Sequence, residues 1–142
     1  MGAKDVGVLV NIQAEALFNG GAIEDNCQFS DDNNGGPKWP LNVFKSIVFK
    51  GKFLAWEVKP QGSNEDKYSV TKIRITFENN SPFDDLILEK NSFKLKEKIS
   101  VNAQVAMDYK YEFQFSLKHD GNTKDFNIDP ILRINPQPID PS

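Results

Sequence analysis

Residues 107–117 read MDYKYEFQFSL. Met107, Tyr109, Tyr111, Phe113, Phe115 and Leu117 share one parity, and Asp108, Lys110, Glu112, Gln114 and Ser116 the other. Period 2 holds without exception, so the stretch is predicted to be a strand with one dry face and one wet face. A helix would scatter those aromatics around its circumference. Fully extended, the segment spans roughly 36 Å, about the width of a domain of this length. Such an aromatic wall has to be covered by other elements, and this constrains the fold more than any other feature of the chain.

The remaining segments supply strands to cover it. Val6, Val8, Val10 and Ile12 are in phase and predict a first strand. Gln13 to Phe18 either extends it or forms one helical turn before Asn19-Gly20-Gly21 breaks the chain. Cys27 and Phe29 mark a short strand over 26–30, and Val43 to Phe49 another, followed by a tight turn at Lys50-Gly51. Lys52 to Val58 is apolar at both parities, which predicts a central strand covered on both sides. Between Tyr68 and Phe77 the apolar parity switches, and a β-bulge near Thr71 reconciles the halves. Leu86 to Leu88 is a short apolar run.

From Phe93 to Leu117 the odd positions stay almost wholly apolar. One strand of that length would run about 80 Å, against a radius of gyration of roughly 14 Å for a compact chain of this size. The run must fold back, and the small and polar residues between Asn102 and Ala106 place the break there. Asp120-Gly121 is a hairpin signal. A closing strand through Phe126, Ile128, Ile131 and Ile134 is interrupted by Asp129-Pro130, and a proline there implies an edge or a bulge. Lys94, Lys96 and Lys98 put three cations on one strand face, the pattern of a solvated edge guarded against unwanted pairing.

These segments amount to roughly seven to nine strands without a strong helix. The expected fold is all-β, an antiparallel two-sheet β-sandwich of immunoglobulin-like architecture. It forms a single domain over residues 1–135, with a Pro-rich tail over 136–142. Cys27 and Trp56 parallel the inter-sheet cysteine and core tryptophan of immunoglobulin domains, but Cys27 is the only cysteine, so no intramolecular disulfide forms.

Composition excludes several functions. Net charge is −3 and the pI about 5.2, so no broad basic field is expected for nucleic acid. No apolar run is long enough to span a membrane, and residues 1–18 lack the pattern of a signal peptide. Val6 stands where a myristoylation signal needs Ser or Thr. These features, with the lone cysteine, place the chain in the cytoplasm, unless it is the mature form of a secreted protein.

Catalytic chemistry finds few carriers. No G-x-S-x-G, H-E-x-x-H, P-loop or G-x-G-x-x-G motif occurs. His119, the only histidine, would serve as general base or metal ligand only beside a placed partner; its turn position predicts an exposed residue. Cys27 shares phase with Phe29 and is expected to be a buried, inert thiol. One Cys and one His cannot make a closed zinc site.

Oxygen ligands are better represented. Asp31, Asp32, Asn33 and Asn34 offer donors to a hard cation, calcium being the candidate, although Asn42 occupies the place of the bidentate Glu of an EF-hand loop. Asp84, Asp85, Asp120 and Asp125 are further oxygen sources that would have to converge at one end of the sandwich. Trp39, between Lys38 and Pro40, is the candidate exposed platform for a glycan.

The pieces V-L-V-N-I, K-G-K-F-L-A-W-E-V, Y-x-Y-x-F-x-F and D-P-I-L-R-I occur in this order. In that order the chain resembles small bacterial all-β proteins of the inclusion-body (PixA and AidA) type. It departs from them in lacking an internal glycine-rich segment, and that family supplies no catalytic residues to carry over. The lack of catalytic carriers and the wall-like aromatic strands with edges give the expected role: non-enzymatic, acting by self-association or by binding a protein partner. The alternative is a calcium-assisted carbohydrate-binding module built on Trp39 and the 31–34 loop, with no other cofactor.

Overall fold

The computed structural model describes residues 5–31, 45–61, 67–78, 80–83, 85–101, 103 and 107–135. Along the chain these form β1 (Val6–Gln13), α1 (Ala14–Phe18), α2 (Ile23–Asn26), β2 (Cys27–Asp31), β3 (Lys45–Phe49), β4 (Phe53–Gln61) and β5 (Ser69–Phe77). β6 (Ile87–Lys90), β7 (Lys94–Lys98), β8 (Met107–His119), β9 (Asn122–Ile128) and β10 (Ile131–Asn135) follow. The first sheet has the order β2-β1-β4-β7, and the second β3-β10-β8-β5-β6, with β9 also paired to β8. The fold is an all-β two-sheet sandwich with ten described strands.

The aromatic wall lies where period 2 puts it. Tyr109, Tyr111, Phe113, Phe115 and Leu117 are at most 3% exposed. They face the inner side chains of β1, β2 and β4 in the opposing sheet. Phe113 meets Phe29 edge-on at 5.5 Å, and Tyr111 meets Trp56 at 5.9 Å between ring centroids. The Trp56 indole N–H donates to the Tyr111 hydroxyl at 3.2 Å inside this layer. Burying these faces is the main favourable contribution, about 1.5–3 kcal/mol for each large apolar side chain fully withdrawn from water.

Turn chemistry works as the residues require. Asp120 and Gly121 both have positive φ, +50° and +79°, and join β8 to β9 with His119 opposite Asn122. The β5–β8 register shifts between Val70 and Lys72, the bulge expected at Thr71. α1 ends in a Schellman motif: Gly20 N–H donates to Leu17 O at 3.1 Å and Gly21 N–H to Ala16 O at 2.7 Å. Gln13 to Phe18 thus divides, its first residue closing β1 and the rest forming the helical turn.

Several features differ from expectation. Two of the eight ladders, β1 with β4 and β3 with β10, are parallel, so the sheets are mixed rather than purely antiparallel. The tight turn expected at Lys50-Gly51 is present, Lys52 N–H donating to Phe49 O at 3.3 Å, and it carries the chain from the second sheet to the first. β4 is central in its sheet, and no further layer of described residues lies over its outer face. Leu54, Trp56 and Val58 are buried, whereas Phe53 is 40% exposed under the Lys96 ammonium, 4.9 Å from its centroid. The lysine stem and head do the covering that a further layer was expected to do.

The long apolar run folds back as chain length demands: β7 ends at Lys98 in one sheet and β8 begins at Met107 in the other. β9 and β10 lie along the same edge of β8 in one unbroken register, Phe113 opposite Ile128 and Lys110 opposite Ile131. Pro130 sits in the gap between them. Its carbonyl accepts from Tyr111 N–H at 3.2 Å, while its nitrogen has no hydrogen to return.

Candidate functional site

Five large apolar side chains are exposed among the described residues: Phe53, Leu86, Ile87, Phe93 and Val101. They gather on one flank. β6 is the last described strand of the second sheet and β7 the last of the first, so this flank consists of two edges that no described strand pairs, joined by residues 91–93. Leu86 precedes β6, and its carbonyl accepts from Phe77 N–H at 2.8 Å. Ile87 lies on the solvent side of β6, because the neighbouring Leu88 takes the core side. The Phe93 carbonyl accepts from Val58 N–H at 2.9 Å, leaving the ring outside. Phe53 lies opposite Lys98 in the β4–β7 ladder, and Val101 follows β7 and sits against Gly51.

β7 has a further order. Val58 N–H bonds Phe93 O and Ile99 N–H bonds Lys52 O, which fixes the phase of the β4–β7 ladder. Odd residues turn their main-chain groups toward β4, so Lys94, Lys96 and Lys98 turn theirs toward the open edge. Lys94 N–H is taken up by Ser92 Oγ at 3.3 Å. Beyond the strand, Ser100 N–H goes to Pro82 O at 2.9 Å. Among the described residues the edge is therefore closed at both ends and open at Lys96 and Lys98. Their side chains, with that of Lys94, are exposed. Among the described residues no carboxylate lies within ion-pair distance of any of the three, whereas Glu89 in β6 serves both Lys72 and Arg74, at 3.6 and 3.7 Å.

Beside the stripe, the outer face of the first sheet is hollowed where Gly7 and Ala55 stand opposite each other. Two shallow depressions of about 190 and 150 Å³ are lined by these residues with Phe53, Glu57, Lys94 and Lys96.

The other predicted site residues fare differently. Asp31 closes β2 opposite Val8. Asp32, Asn33, Asn34 and Trp39 lie outside the described residues, as does Asp84. Asp85 is by the Phe77 end of β5 and Asp120 by its Ser69 end, so these carboxylates lie at opposite ends of one strand. Asp125 on β9 accepts from Ser116 Oγ at 2.5 Å. No group of three or more His, Cys, Asp or Glu suited to a metal occurs among the described residues.

His119 is not the exposed turn residue expected. Its ring stacks on Tyr68 at 4.2 Å and meets Phe18 edge-on at 5.4 Å. Its Nδ1–H donates to Lys67 O at 3.0 Å, and Nε2 lies 3.2 Å from Asp120 Oδ2. Sequence spacing could not place Phe18 there, since α1 brings it across the end of the sandwich. Lys124 fastens that end, its ammonium 2.6 Å from Phe18 O and over the Phe18 ring at 4.8 Å. Loss of water around the Tyr68 hydroxyl, then the charges of Glu15 and Asp120, raise its pKa.

Cys27 is 3% exposed, and burial pushes its thiol up to about 12. The folded state therefore holds a proton that the unfolded chain releases near pH 9, so this group's contribution is full below pH 9 and is lost as pH rises toward 12. Native protein at pH 8 is expected to resist a thiol reagent that labels it at once in denaturant. Cys27→Ala is expected to flatten part of the alkaline fall in stability, measured by urea unfolding at several pH values.

No helix among the described residues is long and apolar enough to cross a membrane. Compared with known proteins, the chain matches no family model, and no curated protein is significantly similar to it.

Proposed function

We propose that this chain is a non-enzymatic sandwich that works by association, with itself or with a protein partner, through the flank formed by β6 and β7. One observation carries this reading: every large apolar side chain exposed among the described residues lies on or beside that flank. Scattered apolar residues on a surface need no explanation, but a gathered set with two unpaired strand edges is the usual mark of an interaction surface. The two residues best suited to nucleophilic or acid–base work are otherwise engaged. Cys27 is a buried neutral thiol, and His119 is packed between aromatic rings. The resemblance to small bacterial inclusion-body-type proteins agrees with an associating role. A lone buried thiol suits a reducing compartment such as the cytoplasm.

Light scattering across a wide concentration range tests this. The mass is expected to rise above that of a monomer, and Ile87→Asp with Phe93→Asp is expected to return it to monomer with the circular dichroism spectrum unchanged. A constant monomer mass for both proteins removes self-association and leaves a partner as the only form of the reading.

A further inference from the structure

We infer that β7 is a docking edge for an extended acidic segment of another protein, which adds to the first sheet as a fifth strand beside β7. The inference rests on the association reading above and narrows the partner.

Two independent properties of β7 coincide on the same residues. Ladder phase turns the main-chain groups of Lys96 and Lys98 outward, and among the described residues nothing occupies them. An added antiparallel strand would form two hydrogen bonds with each, the main-chain component of strand addition. The side chains of Lys94, Lys96 and Lys98 stand along the outer face at a spacing of about 6.7 Å; Glu57 stands opposite Lys94 in the β4–β7 ladder, and among the described residues no carboxylate is within ion-pair distance of any of the three. An incoming strand with Asp or Glu at every second position carries the same period, so each carboxylate falls beside a lysine. Opposite charges paired across strands contribute roughly 0.2–1 kcal/mol each, and like charges oppose pairing by similar amounts.

The same charges select against other occupants. A second copy pairing antiparallel about Lys96 would set Lys96 against Lys96 and Lys94 against Lys98. Parallel pairing in register would set each lysine against itself. Lysines on an edge thus do not close it to all strands; they close it to their own kind and leave it open to acidic ones. A flexible polyanion is a poorer occupant, because three cations on a chain of net charge −3 release few counterions and its backbone cannot use the outward N–H and C=O groups.

The test uses the full chain and a labelled peptide of four Thr-Glu repeats, with four Thr-Lys repeats and heparin as comparisons, read by fluorescence anisotropy and amide NMR. The acidic peptide is expected to bind, to protect the Lys96 and Lys98 amides from exchange, and to be bound at least tenfold more weakly by Lys96→Glu/Lys98→Glu. That variant is expected to take up the lysine peptide instead. Lys96→Pro removes one outward N–H without touching the ladder to β4, and is expected to weaken binding as strongly. The inference is overturned by a folded chain that ignores the acidic peptide, by heparin binding equally well without amide protection, or by protection of the two amides through self-pairing alone. Failure here is separable from failure of the association reading: a chain that self-associates through Ile87 but ignores the peptide keeps that reading and loses this one. A monomer that takes up the peptide keeps both, with association confined to a partner.

Discussion

Trp56→Ala is expected to lower the free energy of unfolding by about 3–5 kcal/mol. The indole is wholly buried on a central strand, with Tyr111 and Phe83 each 5.9 Å from it between ring centroids. Both sheets therefore lose packing at once, and neither can move in to fill the space without disturbing its own ladders. Against the 5–15 kcal/mol typical of a domain, such a loss brings the chain near its limit. Tyr111→Phe is the finer probe. It keeps the ring and removes the acceptor at 3.2 Å from the indole N–H, and leaving that donor unsatisfied costs about 1–3 kcal/mol. Urea unfolding followed by far-ultraviolet circular dichroism measures both. An unchanged midpoint for Trp56→Ala would mean that the two layers do not meet at this residue.

Gly21→Ala is the second large effect, about 1–3 kcal/mol of destabilisation from overpacking. A Cβ on Gly21 would lie 2.8 Å from the Ala16 carbonyl oxygen and 2.8 Å from Asn26 Nδ2. Asn26 can yield only by giving up its hydrogen bond to Ala22 O. The Ala16 carbonyl cannot yield, because it accepts the bond that closes α1. Gly20→Ala makes the useful contrast. Nothing lies near its Cβ, and its penalty comes only from φ of +98°, about 1–2 kcal/mol for a residue with a Cβ in that region. Gly21→Ala should also disturb what α1 seats. The ring resonances of His119, shifted by the stacked Tyr68, are expected to move toward their random-coil positions in Gly21→Ala and to stay in Gly20→Ala.

Much of the fold was legible because its cause is local. The dry face over 109–117, the parity switch at Thr71 and the Asp120-Gly121 turn each depend on a few consecutive residues, and each appears in the structure, although Ser116 on the other face is buried as well. What depends on distant partners was not legible. Nothing near Val6 or Leu54 announces that they pair in parallel, so the ladders were expected to be antiparallel. The apolar parity of Phe53 suggested a second cover, because the reach of a lysine stem across a ring leaves no trace in a hydrophobic pattern. His119 looked like a turn residue because Phe18 and Tyr68, which enclose it, come from remote segments.

The candidate site was half visible. Lys94, Lys96 and Lys98 were recognisable as an edge, and β7 is one. The apolar companions were harder to see, although one signal was present. Leu86, Ile87 and Leu88 are consecutive, and a strand cannot turn three neighbours inward, so at least one had to face water. The Asp31–Asn34 and Trp39 candidates remain sequence expectations, since all but Asp31 lie outside the described residues.

The place of β1 has a consequence for how the molecule is made. β1, made before β2 and β4, sits inside its sheet between them, with Val6 beside Leu54. β3, also early, waits for β10, with Lys45 beside Ile131. Both parallel ladders join parts of the chain synthesised far apart, and closing such loops is slow. The hairpin of β8 with β9, by contrast, needs only neighbours in sequence. Assembly should therefore proceed from the late-made ribbon backward. Until it does, β1 and β3 lack their parallel partners, and their apolar side chains need shielding by later-made segments or by a chaperone.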